Sequence, residues 1–254
     1  NRPHIDTLEA IKSLEKNDAR AYKLLNDFVV SKGIDWNETS AMTDALSKVT
    51  KQQVIDFANK YAPQTPSVLI PLGVDKPQAT SNYADSFLHI GAMDWEPNLE
   101  GINWLVKHVW PSVQSETDLT LNLAGKSLNS SLYKDVKGLV NHGEVANASE
   151  FMLNSGILVV PLFSGSGIRI KIIEAGMFAV PLIATDKAVE GLNLVADEDF
   201  LLANSTSEFH TQMCKLAKDK ELQRKLGASL QAKIATQFDK EHLNKKLIEF
   251  YKSI

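Results

Sequence analysis

From Ser86 onward, short apolar runs alternate with segments whose apolar residues recur at intervals of three and four. SFLHIGAM, TLNLAG, GLVNHGEV, ILVVPLF, VPLIAT and DFLLAN read as strands. ILVVPLF is unbroken, the pattern of a strand buried on both faces. Helices are expected between them: Asn98 to Trp110, closed by Pro111; NASEFMLNSG, with Asn147 or Ser149 near its cap; and GIRIKIIEAGMFA. A final helical series starts at Ser205 or Ser207 and runs to Ile254. Strands that alternate with helices need parallel crossovers, so the pattern predicts an α/β fold, a doubly wound, mostly parallel sheet with helices on both faces.

The chain before this is different. Leu8, Ile11 and Leu14, then Ala21, Leu24, Leu25 and Phe28, follow helical spacing, and Gly33 reads as a C-cap. Thr50 and Gln53 suit a capping box for KQQVIDFANKYA, which Pro63 and Pro66 end. Two parts are expected: a helical region over residues 1–66 and an α/β domain over residues 67–254.

Composition excludes more than it selects. Net charge is −4 over 254 residues, which offers no basic field for nucleic acid. The single cysteine, Cys214, cannot form an internal disulfide and reads as a packed thiol in a reducing, cytoplasmic setting. No apolar run reaches the roughly 18–20 residues needed to span a bilayer. The opening Asn1-Arg2-Pro3-His4 has no signal-peptide core and no Met, and is read as the start of a fragment or processed product.

In a doubly wound sheet, ligands bind beyond the carboxyl ends of the strands. The segment after ILVV carries the strongest signal there. Gly165 and Gly167 allow close approach of backbone to a ligand, and the following helix points its free N–H groups at the same place. Arg169 and Lys171 add positive charge, and Glu174 lies one turn beyond. A diphosphate leaving group needs this environment, because negative charge develops on it as a glycosidic bond breaks. Read alone, the G-x-G loop is equally a tight turn. Arg169 and Lys171 point about 200° apart on a regular helix, so both can face one ligand only if Ser164–Ile168 is non-helical. Lys171 shares a face with Glu174.

Other motifs are silent. His89 reads as a satisfied core or strand-end histidine, and His108 and His142 show no ligand spacing. H-E-x-x-H, C-x-x-C, G-x-S-x-G and Walker strings do not occur, so no metal site is expected. The D-x-D string Asp197-Glu198-Asp199 reads as a solvated loop. Trp95, Trp104 and Trp110 read as packing anchors, with Trp95 placed at a strand-end loop.

PLFSGSGIRIKIIEAGMFAVPLIATDKAVEGL resembles the donor-binding signature of retaining GT-B glycosyltransferases, within the bacterial "glycosyltransferases group 1". FLHIGAMDWEPNLEGINWLVKHVWPSV, LNLAGK, VNHGEV and QFDKEHLNKKLIEFYKSI are similar to other parts of that domain and follow the same order. The resemblance covers Ser67 to Ile254 and implies a Rossmann-like, C-terminal donor-binding domain. It implies that Glu174, matching the second glutamate of an E-x7-E pattern, bonds the ribose. Ser166 stands where the first glutamate would be, so the Ser164–Gly167 backbone is expected to hold the sugar. Arg169 and Lys171 would face the diphosphate, Gly91 would permit close packing, and His142–Val145 would lie near the base. The implied activity is hexosyl transfer from a nucleotide sugar to a glycan or lipid-linked acceptor, with no cofactor and no metal. A separate acceptor domain and peripheral membrane association are included among the expected partners, and nucleic acid is not. The acceptor half is reduced or missing in residues 1–66, so activity is expected to be incomplete in this chain; a non-catalytic nucleotide-sugar-binding or interaction module is the alternative. Residues 10–63 are also similar to the tail of insulinase-type zinc peptidase domains, without their metal motif.

Overall fold

The computed structural model describes residues 73–74, 80–129 and 131–253. The helical expectations for residues 1–66, the boundary at 66–67 and the peptidase-like similarity lie outside the described residues.

Six strands form one all-parallel sheet: β1 (Ser86–Ile90), β2 (Thr120–Ala124), β3 (Leu139–Asn141), β4 (Ile157–Val160), β5 (Leu182–Ala184) and β6 (Leu201–Leu202). Their order is β3-β2-β1-β4-β5-β6. The chain builds outward from β1 in one direction and, after β4, in the other, so the order reverses between β1 and β4. That is the crevice where a doubly wound fold binds its ligand. The intervening helices are α1 (Glu96–His108), α2 (Trp110–Thr117), α3 (Ala148–Asn154), α4 (Ile170–Met177), α5 (Asp186–Val189), α6 (Thr206–Lys218), α7 (Lys220–Phe238) and α8 (Lys240–Ser253).

Strand side chains alternate between two cores. Phe87, Leu121, Leu123, Ile157, Val159 and Ile183 join one face with Ile102, Trp110, Phe209 and Met213. Leu88, Leu158, Val160, Leu182 and Ala184 join the other with Met152, Ile172, Ile173, Leu230 and Ile234. All four residues of ILVV are buried, as the unbroken run predicts. Caps fall where expected: Asn147 accepts from Glu150 N at 3.1 Å, and Ser205 accepts from Glu208 N at 3.3 Å.

Two local expectations are corrected, and one segment without an assignment is helical. Pro111 does not close the chain's helical course; α1 ends at His108, and Pro111 sits in the first turn of α2, where its missing N–H costs nothing. The segment after β5 forms the short helix α5, with Thr185 capping Ala188 N. In the D-x-D string, Asp197 and Glu198 are exposed but Asp199 is buried. It accepts from Val195 N at 2.9 Å and from the Ser229 hydroxyl at 2.8 Å, which ties the loop to α7. Cys214 is buried on α6, its thiol pushed up to about 11 by burial and by neighbouring Glu116. Among the described residues, no helix is long and apolar enough to cross a membrane.

Candidate functional site

A cleft of about 420 Å³ opens at the reversal point, beyond the ends of β1 and β4. Gly91, Ser166, Arg169, Lys171 and Glu174 line it, together with Trp95, Asn98, Met152 and Ile168. Five of the residues singled out in sequence therefore meet in one place, although Gly91 lies 75 or more positions from the rest.

Lys171 is the centre of its polar floor. Its ammonium donates to Asn98 Oδ1 at 2.8 Å and lies 3.3 Å from His89 Nε2. His89 is fully buried, with Nδ1 at 2.8 Å from the Val159 carbonyl. A carbonyl only accepts, so Nδ1 carries the hydrogen and Nε2 is left as the acceptor for Lys171. Burial first, and the Lys171 charge second, hold His89 well below the ordinary imidazole range, so the ring is neutral. Asn98 is oriented in turn by donating from Nδ2 to the Ala92 carbonyl at 2.9 Å. The chain of bonds fixes the ammonium between β1, β4 and α1. An ammonium has three N–H groups, so one remains for a ligand in the cleft. Burial, then the charge of Arg169, lowers Lys171 to about 7.

Gly91 explains why this fits. A Cβ there would stand 2.5 Å from Lys171 Nζ and 2.7 Å from Asn98 Nδ2, so any side chain displaces the floor.

Arg169 does a different job from Lys171. It is the N-cap of α4 in extended conformation, so the preceding loop is non-helical and the two cations lie on different structures. The guanidinium is buried and donates to the carbonyls of Ser166 at 2.6 Å, Gly167 at 2.8 Å and Gly165 at 3.0 Å. It stacks over Trp95 at 5.0 Å, and its Nε has no hydrogen-bond partner among the described residues. These bonds hold the loop that forms the wall of the cleft. Gly165 and Gly167 take positive φ of 89° each, and a Cβ at Gly165 would meet Trp95 at 2.6 Å. Neither glycine lines the cleft itself; they shape the loop that presents Ser166.

Glu174 stands one turn into α4 on the Lys171 face, half-buried, and burial pushes its carboxyl up. Asn98 and His89 join the site through contacts over 73 and 82 residues. The readable signal for Asn98 was a polar residue in the first turn of the helix after the first strand. The turn His142–Val145 is not brought to the cleft. His142 Nε2 bonds Asn122 Oδ1 at 2.9 Å, and it is the following helix α3 that contributes Ala148 and Met152.

The sequence profile of a family described as "Glycosyl transferases group 1" matches residues 84–219, more than half of the chain. The chain belongs to this glycosyltransferase family. No curated protein matches it in sequence. Solved structures share the fold of this domain. A complex of S. aureus TarM superposes with a TM-score of 0.61 at 15% identity, covering 80% of this chain and 43% of TarM. The pneumococcal O-GlcNAc transferase GtfA gives 0.57 at 17%, over 80% of this chain and 44% of GtfA. Anabaena HepE gives 0.60 at 14%, over 85% of this chain and 67% of HepE. The chain thus spans less than half the length of TarM and GtfA. The shared architecture is the Rossmann-like C-terminal domain of GT-B glycosyltransferases, and the cleft lies at the topological switch point of its sheet.

Proposed function

We propose that the cleft holds a nucleoside diphosphate sugar, and that the chain is the donor-binding part of a retaining hexosyltransferase acting on a glycan or lipid-linked acceptor. The observation that carries this reading is the Lys171 ammonium, oriented by Asn98 and neutral His89 with one N–H left over, beside the start of α4. A pyrophosphate bridging Lys171 and the α4 N-terminus would be neutralised as it departs from the sugar, with no step requiring a metal. Glu174, one turn away on the same face, is placed to accept from ribose hydroxyls, and the Ser164–Gly167 backbone to meet the sugar. The related folds agree in chemistry: TarM was crystallised with UDP and alpha-GlcNAc-glycerol, and HepE with UDP and glucose. Ser166, in place of the family's first glutamate, favours a second reading in which the domain binds the donor without transferring it.

Calorimetric titration with nucleoside diphosphate sugars, and with the bare nucleosides, tests the binding step. Lys171→Ala should weaken the diphosphate sugar roughly 10- to 100-fold, the scale of a charged hydrogen bond, and leave the nucleoside nearly unchanged. Equal losses for both ligands would show that Lys171 supports the fold or the base instead. Release of free sugar or transfer to an added acceptor then separates the enzyme from the binding module.

A further inference from the structure

On the opposite side of the sheet, Glu116 of α2 and His210 and Cys214 of α6 converge. His210 and Cys214 are four apart on one helix, so they share a face, one turn above the other. Glu116 Oε1 lies 2.9 Å from His210 Nε2, and Cys214 Sγ lies 3.7 Å from the same nitrogen. All three ligand atoms lie within 4.8 Å of one another.

Two features set this cluster apart from an ordinary surface ion pair. The ring nitrogen faces both a carboxylate and a sulfur, and the thiol also bonds the Glu116 carboxylate, so three potential ligand atoms converge on one point. A cation at their centre satisfies all three. The spacing also suits one: Zn–S of about 2.3 Å and Zn–N of about 2.0–2.1 Å, at tetrahedral angles, put neighbouring ligand atoms about 3.3–3.6 Å apart. The sulfur-to-nitrogen distance is already close to this, and the exposed Glu116 carboxylate needs to move back from His210 by roughly half an ångström.

We propose that Glu116, His210 and Cys214 form a binding site for one transition-metal cation of the Zn²⁺ type, which cross-links α2 to α6. Thiolate, imidazole and carboxylate together select such a metal over Mg²⁺ or Ca²⁺, which take oxygen donors. On binding, the cation displaces the thiol proton to solvent, and the imidazole proton passes through water from Nε2 to Nδ1, which frees the Nε2 lone pair. The fourth position faces a cleft of about 690 Å³ lined by His108, Ser112, Ser205, Ser207 and Thr211, so water completes the shell. Val113, Phe209 and Met213 pack into the core beneath α2 and α6 and hold the two helices in register. The site shares no residue with the nucleotide cleft, and its loading is independent of the proposed donor chemistry.

The test uses the untagged, metal-free full chain and Co²⁺ as a spectroscopic probe. Because the chain has a single cysteine, a near-ultraviolet thiolate-to-cobalt band reports this site alone. The expected result is one Co²⁺ bound per chain with that band and tetrahedral visible absorption, both displaced by Zn²⁺ and unaffected by excess Mg²⁺. Cys214→Ser should abolish the band. His210→Ala and the exposed Glu116→Gln should each weaken binding by roughly 10- to 100-fold or more, since loss of even an outer-shell partner costs that much. Zn²⁺ should raise the melting temperature of the wild type and not of His210→Ala. Glu116→Gln cannot fail through the core, so wild-type Co²⁺ affinity in that variant overturns the three-ligand site. Absence of the thiolate band in the wild type overturns it outright, leaving a His–Glu ion pair beside an inert thiol.

Discussion

An ammonium enclosed beside a neutral imidazole releases its proton more readily than one in water, and Lys171 accordingly sits at about 7. Near neutral pH roughly half of it is uncharged in the free protein. Bound phosphate favours the charged form, so binding takes up a proton. Affinity for a nucleoside diphosphate sugar is therefore full only well below pH 7 and should fall about fivefold over the first pH unit above it. Calorimetry in buffers of different ionisation enthalpy reads the proton directly; the same pH dependence in Lys171→Met would remove Lys171 as its source. What the sequence showed at this scale was the cation itself, because Lys171 follows a glycine loop and precedes Glu174 by one turn. It did not show His89 and Asn98 as its partners, because their roles arise only when β1, α1 and α4 meet. Asp199 was misread for the same reason: its acceptors are used by a serine 30 residues away.

The element that most constrains the site is the end of β1. Gly91 leaves room for the ammonium, and a methyl group there would stand 2.5 Å from it. The atoms that a Cβ would meet belong to two side chains and not to backbone, so Gly91→Ala should fold, destabilised by about 1–3 kcal/mol as the buried floor is displaced. Its affinity for a nucleoside diphosphate sugar should fall at least roughly tenfold, as in Lys171→Ala, because the two lose the same charged bond. Thermal unfolding and titration of this one variant separate the two effects; unchanged binding would show that the Lys171–Asn98 floor is not used. Elements were the most legible scale. The short apolar runs, the buried ILVV run among them, and the capping residues Asn147 and Ser205 are local properties of the chain. Pro111 was misassigned because proline fits both just after one helix and in the first turn of the next.

At the scale of the whole molecule, the two buried bases make folding pH-dependent. His89 and Lys171 both have folded values below their ordinary ones, so the unfolded chain binds more protons and stability rises with pH. The His89 contribution is lost as the solution is acidified below its ordinary 6.5. The Lys171 contribution grows from about 7 towards its ordinary 10.5. Melting temperature should thus climb from pH 6 to pH 9, and Lys171→Met should flatten the part above neutrality. A wild-type curve that falls over that range would mean that Lys171 is not buried as described. The topology was legible in outline: alternating strands and helices imply a parallel sheet. The strand order was not, because nothing local says on which side of β1 the chain lays β4, and it is that choice which creates the crevice.

The loop before α4 enters the encounter with ligand already shaped. The two terminal nitrogens of Arg169 bond three carbonyls of that loop, and Trp95 stacks against the guanidinium. Ordering a residue's backbone costs about 1–2 kcal/mol, and here that entropy is surrendered when the chain folds and not when a ligand arrives. The cleft is therefore a rigid receptor on this side. A ligand meets a finished wall, and the favourable free energy of its contacts is kept for affinity and for discriminating one ligand from another.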